Sequence, residues 1–541
     1  MPEHRTEDRA APRTAVATRD VPLLPLWAAV PVSVVAGIVL STAFPALAWW
    51  PMVFVAVPLA LLPLIGRRAG GALLVGFAFG AAFFSVNVAF TARYLGPVPW
   101  IALSVFEALL TGVAALTITW AYRWLPRLVP GRWWRLVALP ALVAGLWTMR
   151  EQFLGSWPYG GFPWGRIGVT QASSPLAPVA SWIGMSGLSF LIVFVCAAAI
   201  EVVRQRSLRR PLSYLPTAAA VVLLVVTPAF PTTDAGSIRI GAVQGNGPAG
   251  YFDERTRDAV FESQRAATEP LIGEDIDLLV WPEGGVDSDP TSTPVTAARL
   301  NRLVEQIGAP LLMNAATARG TEYFNTSLLW EPGEGAAAAY DKRHPVPFGE
   351  YVPDRWLYEP LAPELIGLLQ LDYTPGTLPP VIETAGTRVG LAICFDVIYD
   401  DVIWDGASGG AEVFVFQTNN ADFRGTDENL QQLAFARMRA IETGRAVVNL
   451  STVGTSQVIA PDGSVIDGLP ENVADAMLTD VPLRTGLTPS VALGPVLHAV
   501  FGWGSLAVLL AVGLLEKVRT RRTRAGTTTA PVPEGSGAAE V

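Results

Sequence analysis

Across 541 residues the sequence holds two cysteines, Cys196 and Cys394, three histidines, His4, His344 and His498, and two lysines, Lys342 and Lys517, among 38 basic residues. Each scarcity excludes something. Cys196 lies in a long apolar run, so the pair builds no disulfide framework and Cys394 is free. Ser-His-Asp or Cys-His catalysis would have to use His344, and nothing in the sequence places it for that work. There is no phosphate-binding glycine loop and no internal repeat, and neither a metal nor a cofactor is expected.

The shortage of lysine singles out one position. Arginine supplies positive charge wherever charge alone suffices, 36 times in all. Arginine is a permanently charged planar fork, whereas lysine is a compact point donor whose pKa can be tuned. Lys517 flanks an apolar run and needs no other explanation. Lys342 does, and it is a candidate for chemistry.

Half of the chain, 51%, is hydrophobic and the mean hydropathy is +0.38, too apolar for an ordinary soluble protein of this length. Taking about 20 apolar residues per membrane crossing, eight spans are expected, near 21–43, 46–65, 70–92, 99–122, 133–149, 182–202, 212–231 and 489–515. With the N-terminus inside, the inner segments hold 19 basic residues and the short outer loops three, Arg93, Arg150 and Arg166, as the positive-inside rule requires. Residues 1–20 then form a disordered cytoplasmic N-terminus, 21–231 a membrane domain, 232–488 an extracytoplasmic domain, 489–515 the last span and 516–541 a basic, then disordered, cytoplasmic tail. The 232–488 segment carries 37 acidic and 16 basic residues, so nucleic acid is excluded as a partner.

Within that segment, strand-like runs at 238–243, 277–281, 310–315, 327–330, 389–393, 413–417, 447–450 and 457–460 alternate with helical patterns near 254–272, 295–307 and 427–443, which predicts an α/β domain. Three strand ends carry reactive groups. Leu278-Leu-Val-Trp-Pro-Glu283 delivers a carboxylate. Tyr340-Asp-Lys342-Arg-His-Pro-Val-Pro-Phe-Gly-Glu350-Tyr351 puts a lysine and a second carboxylate on a proline-stiffened loop. Arg388-Val-Gly-Leu-Ala-Ile-Cys394-Phe395-Asp396 sets a thiol at a turn, where a following helix N-terminus is expected to polarise it and lower its pKa. A carboxylate can take the thiol proton, and a lysine can hold an oxyanion.

Glu283, Lys342 and Cys394, in that order and spacing, resemble the Glu-Lys-Cys triad of the nitrilase (carbon–nitrogen hydrolase) superfamily, which implies an α-β-β-α sandwich. The Lys-Arg-His-Pro-Val-Pro-Phe-Gly-Glu-Tyr run, the enclosing spans and the Gly161-Phe-Pro-Trp164 loop resemble the apolipoprotein N-acyltransferase family, over roughly residues 20–515. That family usually has Tyr-Glu after the cysteine. Here Phe395 and Asp396 stand instead, a lost hydroxyl and a shorter acid, which bears on how the acyl pocket is gated.

The resemblance implies a multi-pass enzyme of the bacterial inner membrane, acting as a monomer on two lipid partners. Glu283 would take the proton of Cys394, the thiolate would attack an ester of a membrane phospholipid, and Lys342 with the Phe395 N–H would hold the oxyanion. The thioester would pass its acyl chain to the α-amine of a diacylated apolipoprotein. Some relatives carry a fused polyprenol-phosphate mannose synthase; this sequence shows none, and whether a separate synthase chain associates with it stays open. Glu350 either positions Lys342 or is a surface carboxylate. Trp164 and Tyr351 either line the lipid entrance or are interfacial anchors. Glu107, inside a span, is either functional or reaches water at the membrane edge. The competing functions are a membrane-tethered amidase or nitrilase using water as acceptor, and a non-catalytic lipid-binding or transport protein.

Overall fold

A computed structural model of the protein describes residues 21–206, 208–369 and 371–527. The N-terminal segment 1–20 and the tail beyond 527, both expected to be disordered, lie outside the described residues.

The apolar helices ahead of the soluble domain are α1 (Leu26–Ser41), α2 (Val53–Leu61), α3 (Ala69–Asn87), α4 (Pro97–Leu128), α5 (Leu139–Leu154), α6 (Ala180–Arg204) and α7 (Leu215–Val226). Four helical stretches among the described residues are long and apolar enough to cross a membrane: Ala69–Asn87, Pro97–Leu128, Ala177–Arg204 and Gly494–Thr523. The other expected spans meet shorter helices, and prolines account for much of the shortening. Pro25 and Pro45 bracket α1, Pro51 and Pro63 bracket α2, and Pro211 and Pro228 flank α7. The last helix departs in the opposite sense. Its final segment, α12 (Ser505–Thr527), continues through Lys517, Arg519 and Arg521 instead of ending at 515, since basic side chains favour a helix C-terminus. α3 and α4 approach closely because Gly76 and Gly112 face each other; a Cβ at Gly76 would lie 2.5 Å from Ala115 Cβ.

Residues 233–485 form two six-stranded sheets. In chain order the elements are β1 (Thr233–Gln244), α8 (Ala259–Thr268), β2 (Leu278–Val280), α9 (Pro294–Ile307), β3 (Leu311–Arg319), β4 (Glu322–Glu331), β5 (Gly335–Asp341), β6 (Val381–Thr384), β7 (Thr387–Ile393), α10 (Asp400–Ser408), β8 (Val413–Thr418), α11 (Glu428–Thr443), β9 (Ala446–Ser451), β10 (Ser456–Ile459), β11 (Val465–Leu469) and β12 (Asp475–Thr485). The sheet orders are β12-β1-β2-β3-β4-β5 and β11-β10-β9-β8-β7-β6. The sequence missed β5, β6, β11 and β12, which are the four edge strands. An edge strand is half covered, so its apolar alternation is weak, and β5 reads Gly-Ala-Ala-Ala-Ala-Tyr-Asp.

The period of two in β8 explains the layering. Val413 and Val415 point between the sheets, into a core shared with Ile240, Val280, Leu312 and Val448, while Phe414 and Phe416 point outward. α8 and α9 cover the outer face of the first sheet through Phe261, Leu300 and Val304, and α10 and α11 cover the second through Val402, Ile403 and Phe435. The outcome is an α-β-β-α sandwich. The α10–α11 layer shares one continuous core with Trp164, Ile167 and Val179 of the membrane body, so the domain is seated on that body rather than tethered to it. Truncating a core aromatic such as Phe416 to Ala would cost about 3–5 kcal/mol.

Candidate active site

Glu283 follows β2 by three residues, and its backbone is held on both sides. Thr452 Oγ1 donates to its carbonyl at 3.0 Å, and the N–H of Gly284, at φ +64°, donates to Asn314 Oδ1 at 2.8 Å. Lys342 follows β5 directly and is fixed by its N–H to Asn325 O and by the Gly376 N–H to its carbonyl, each 2.8 Å. Its side chain is 1% exposed, and Nζ reaches Glu283 Oε1 at 3.1 Å and Glu350 at 2.9 Å. Glu350 is therefore not a surface carboxylate. Its second oxygen also accepts the Val346 N–H at 2.7 Å, which closes the proline-rich loop around the lysine.

Asn325 on β4 is the hub that sequence reading passed over. Its Nδ2 donates to Glu283 at 2.8 Å and to Glu350 at 3.0 Å, and its Oδ1 accepts from Asn314 Nδ2 at 2.8 Å. No sequence signal marks it, since it opens the polar run Asn325-Thr326-Ser327 ahead of the apolar part of the strand.

Cys394 stands at the end of β7 with φ +49°, a left-handed conformation that few non-glycine residues adopt and that turns the sulfur out of the sheet. The expected α-helix does not begin there. Cys394–Ile398 is a short 3₁₀ turn and α10 starts at Asp400. Nor is the thiol pKa lowered. Burial, together with the charge of Glu283, holds it well above the usual cysteine range, with Lys342 opposing. Burial also raises the Glu283 pKa, with Lys342 pulling against it and Glu350 adding to the rise. For Lys342, burial acts to lower the pKa, but the two carboxylates outweigh it and keep the ammonium charged.

Asp396 is fully buried and ties two of these elements together. Its Oδ2 accepts from Tyr340 Oη at 2.9 Å, and its Oδ1 accepts the His344 N–H at 2.8 Å. Burial raises its pKa against the influence of His344 and Lys342. Phe395 lies in an aromatic series that runs out of the membrane body, stacking on Phe162 with centroids 5.9 Å apart, as Phe162 does on Trp164 at 5.6 Å. Trp164 is 2% exposed and donates to Gln431, so it is neither an interfacial anchor nor an open entrance. It packs the 161–164 loop beneath the elbow, where Tyr399 Oη also donates to Gly161 O at 2.9 Å. Tyr351 is half-buried next to Glu350, and its carbonyl accepts the Phe348 N–H. Glu107 is buried within α4 rather than exposed to solvent. Arg166, expected in an outer loop, is buried and paired with Asp400 of α10 at 2.6 Å.

Glu428, on α11, is a further carboxylate beside the thiol that the sequence did not single out. It is 3% exposed, accepts from Asn420 Nδ2 at 2.7 Å, and is pushed up to about 8 by burial, with Asn420 opposing and Glu283 adding. Among the described residues no group of three or more His, Cys, Asp or Glu side chains is arranged to hold a metal.

The sequence matches two family models, "Apolipoprotein N-acyltransferase N-terminal domain" over residues 36–198 and "Carbon-nitrogen hydrolase" over residues 239–486. It is 31% identical over 517 residues to an apolipoprotein N-acyltransferase of Mycolicibacterium smegmatis, covering 88% of this chain and 83% of that protein. A protein of the same name from Ralstonia nicotianae is 29% identical over 544 residues, covering 96% and 98% of the two chains. One from Shewanella oneidensis is 26% identical over 408 residues, covering 72% and 76%.

Proposed function

This chain belongs to the apolipoprotein N-acyltransferase family, and from that premise we propose that it moves an acyl chain from a membrane phospholipid, through a thioester on Cys394, to the N-terminal α-amine of a diacylglyceryl-cysteine apolipoprotein. The observation that carries this reading is one buried lysine, Lys342, held between Glu283 and Glu350 at the site that also holds the Cys394 thiol.

Glu283 takes the Cys394 proton as the sulfur attacks the ester carbonyl, and charge passes to the carbonyl oxygen. Lys342 Nζ and the Phe395 N–H face that oxyanion. When the C–O bond breaks, the lysophospholipid alkoxide takes the proton from Glu283 and departs, leaving the thioester. The acceptor amine has a pKa near 8 and is partly neutral at pH 7. It attacks the thioester, Glu283 removes its proton, and the thiolate leaves with the amide formed and is reprotonated. Glu350 and Asn325 hold the lysine and the base in place, and Asp396 positions the segment that carries Lys342.

The same reading places the chain in the bacterial inner membrane with eight crossings and residues 232–488 on the extracytoplasmic side. The 19-to-three division of basic residues supports that orientation, and two of the three exceptions, Arg150 and Arg166, are buried in ion pairs. The test of function is mass spectrometry of the purified protein after incubation with phospholipid vesicles. The peptide bearing Cys394 should gain one acyl mass and lose it when a diacylglyceryl-cysteinyl peptide is added. An adduct elsewhere, or none, would sink the proposal.

A further inference from the structure

Cys394 has a polar neighbour that this reaction scheme leaves unused. Gln432, 2% exposed on α11, directs its Nε2 at Cys394 Sγ, 3.5 Å away. The orientation of that amide is dictated by the groups behind it. Asn420 Nδ2 donates at 3.0 Å to Gln432 Oε1 and at 2.7 Å to Glu428 Oε2, while Asn420 Oδ1 accepts from Ser451 Oγ at 2.6 Å. Turning Asn420 over, alone or together with Gln432, would aim its NH₂ at Ser451 Oγ, which already accepts the Gly454 N–H at 2.8 Å, and would leave the Ser451 hydroxyl without its acceptor. Turning Gln432 over would set its NH₂ against the NH₂ of Asn420. With both rotations disfavoured, Gln432 presents an N–H to the sulfur.

Resting on the thioester reading above, we propose that Gln432 is a catalytic residue whose N–H stabilises the Cys394 thiolate, and that Asn420 and Glu428 are positioning residues that hold it there. A thiol or thioester sulfur is a weak acceptor and a thiolate a strong one, so this hydrogen bond tightens only while sulfur carries charge. That happens twice. In the first half the S–H bond breaks, its proton passes to the Glu283 carboxylate, and the sulfur electron pair forms the S–C bond. In the second half the amine displaces the sulfur, the S–C electron pair returns to it, and the same donor receives the charge.

The test uses the full-length protein carrying Cys196→Ala, so that Cys394 is the one thiol. The rate of alkylation by iodoacetamide is measured across pH for Cys394 in the presence of Gln432, Gln432→Leu or Gln432→Met, two apolar replacements of different shape that guard against a variant that does not fold. Both curves should move to higher pH, and thioester formation from phospholipid should slow on the order of tenfold to a hundredfold. Asn420→Ala should move the curve the same way by less, because Gln432 is then free to turn. Alkylation curves of the folded apolar variants that overlie the parent's would overturn the role of Gln432, and an unmoved Asn420→Ala curve would overturn the positioning role. If the parent takes up no acyl chain from phospholipid, the thioester reading fails instead, and the alkylation curves still decide whether Gln432 acts on the sulfur.

Discussion

The phenol of Tyr340 donates to Oδ2 of Asp396 at 2.9 Å with both side chains buried, and this hydrogen bond joins β5 of one sheet to the turn that follows β7 of the other. Tyr340 is two residues before Lys342, and Asp396 is two residues after Cys394. With the His344 N–H on the other oxygen, the lysine is bracketed on both sides by residues bound to one carboxylate. Where the family usually has a longer acid, a tyrosine hydroxyl here meets the shorter one.

Asp396→Asn keeps the shape but replaces one acceptor oxygen with a donor, leaving a buried donor unsatisfied at a cost of about 1–3 kcal/mol. The melting temperature should fall and thioester formation should slow, since Lys342 loses its fixed position. An unchanged melting curve would show that Asp396 does not hold the two segments together.

Cys394→Ala should leave a folded protein that forms neither thioester nor N-acylated product. Cys196, 3% exposed within α6, should tolerate Ala with full activity and a loss of only about 1 kcal/mol from the small cavity created. Intact-mass measurement after exposure to phospholipid separates the two; an inactive Cys196→Ala would overturn the assignment of the nucleophile.

Lys342→Arg preserves charge and changes shape. Nζ, on a side chain 1% exposed, sits at 2.9–3.1 Å from two carboxylates, and the bulkier guanidinium cannot occupy the same position. Loss of a preorganised oxyanion donor costs on the order of 10²–10³ in rate, roughly 3–4 kcal/mol. Single-turnover acylation of Cys394, with thermal stability as the control for folding, reads this directly. A folded variant that acylates at the parental rate removes Lys342 from the mechanism.

Glu428, raised to about 8, faces Cys394 and Glu283. As pH rises through that value Glu428 gains a negative charge, which opposes thiolate formation and delays the titration of Cys394. In Glu428→Gln that charge never forms, so the alkylation of Cys394 should rise at lower pH than in the parent. Coincident profiles between pH 6 and 10 would remove the coupling.

For topology, Glu334→Cys places a thiol in the exposed turn between β4 and β5. A reagent that cannot cross membranes should label it from outside intact cells in which the outer envelope is permeable. Labelling only after lysis would reverse the orientation.

Short-range physics was enough to expose the reactive residues. An apolar run followed by Trp-Pro-Glu283, a lone lysine in an arginine-rich chain and a cysteine after five apolar residues each report a strand end, because strand periodicity is local. The interior strands were legible for the same reason, and the edge strands β5, β6, β11 and β12 were not, since their alternation depends on a cover that only the second sheet and the helices supply. What no local pattern carries is which groups share a buried volume. Asn325, Asn420, Glu428 and Gln432 read as ordinary polar residues in strands, turns and a helix, yet the fold brings them against the base, the lysine and the sulfur. The thiol's upward shift is of that kind too. A helix N-terminus was the nearest influence in sequence, but desolvation and the Glu283 charge act through space, and they prevail because burial by the two sheets and the membrane body removes the water that would have screened them.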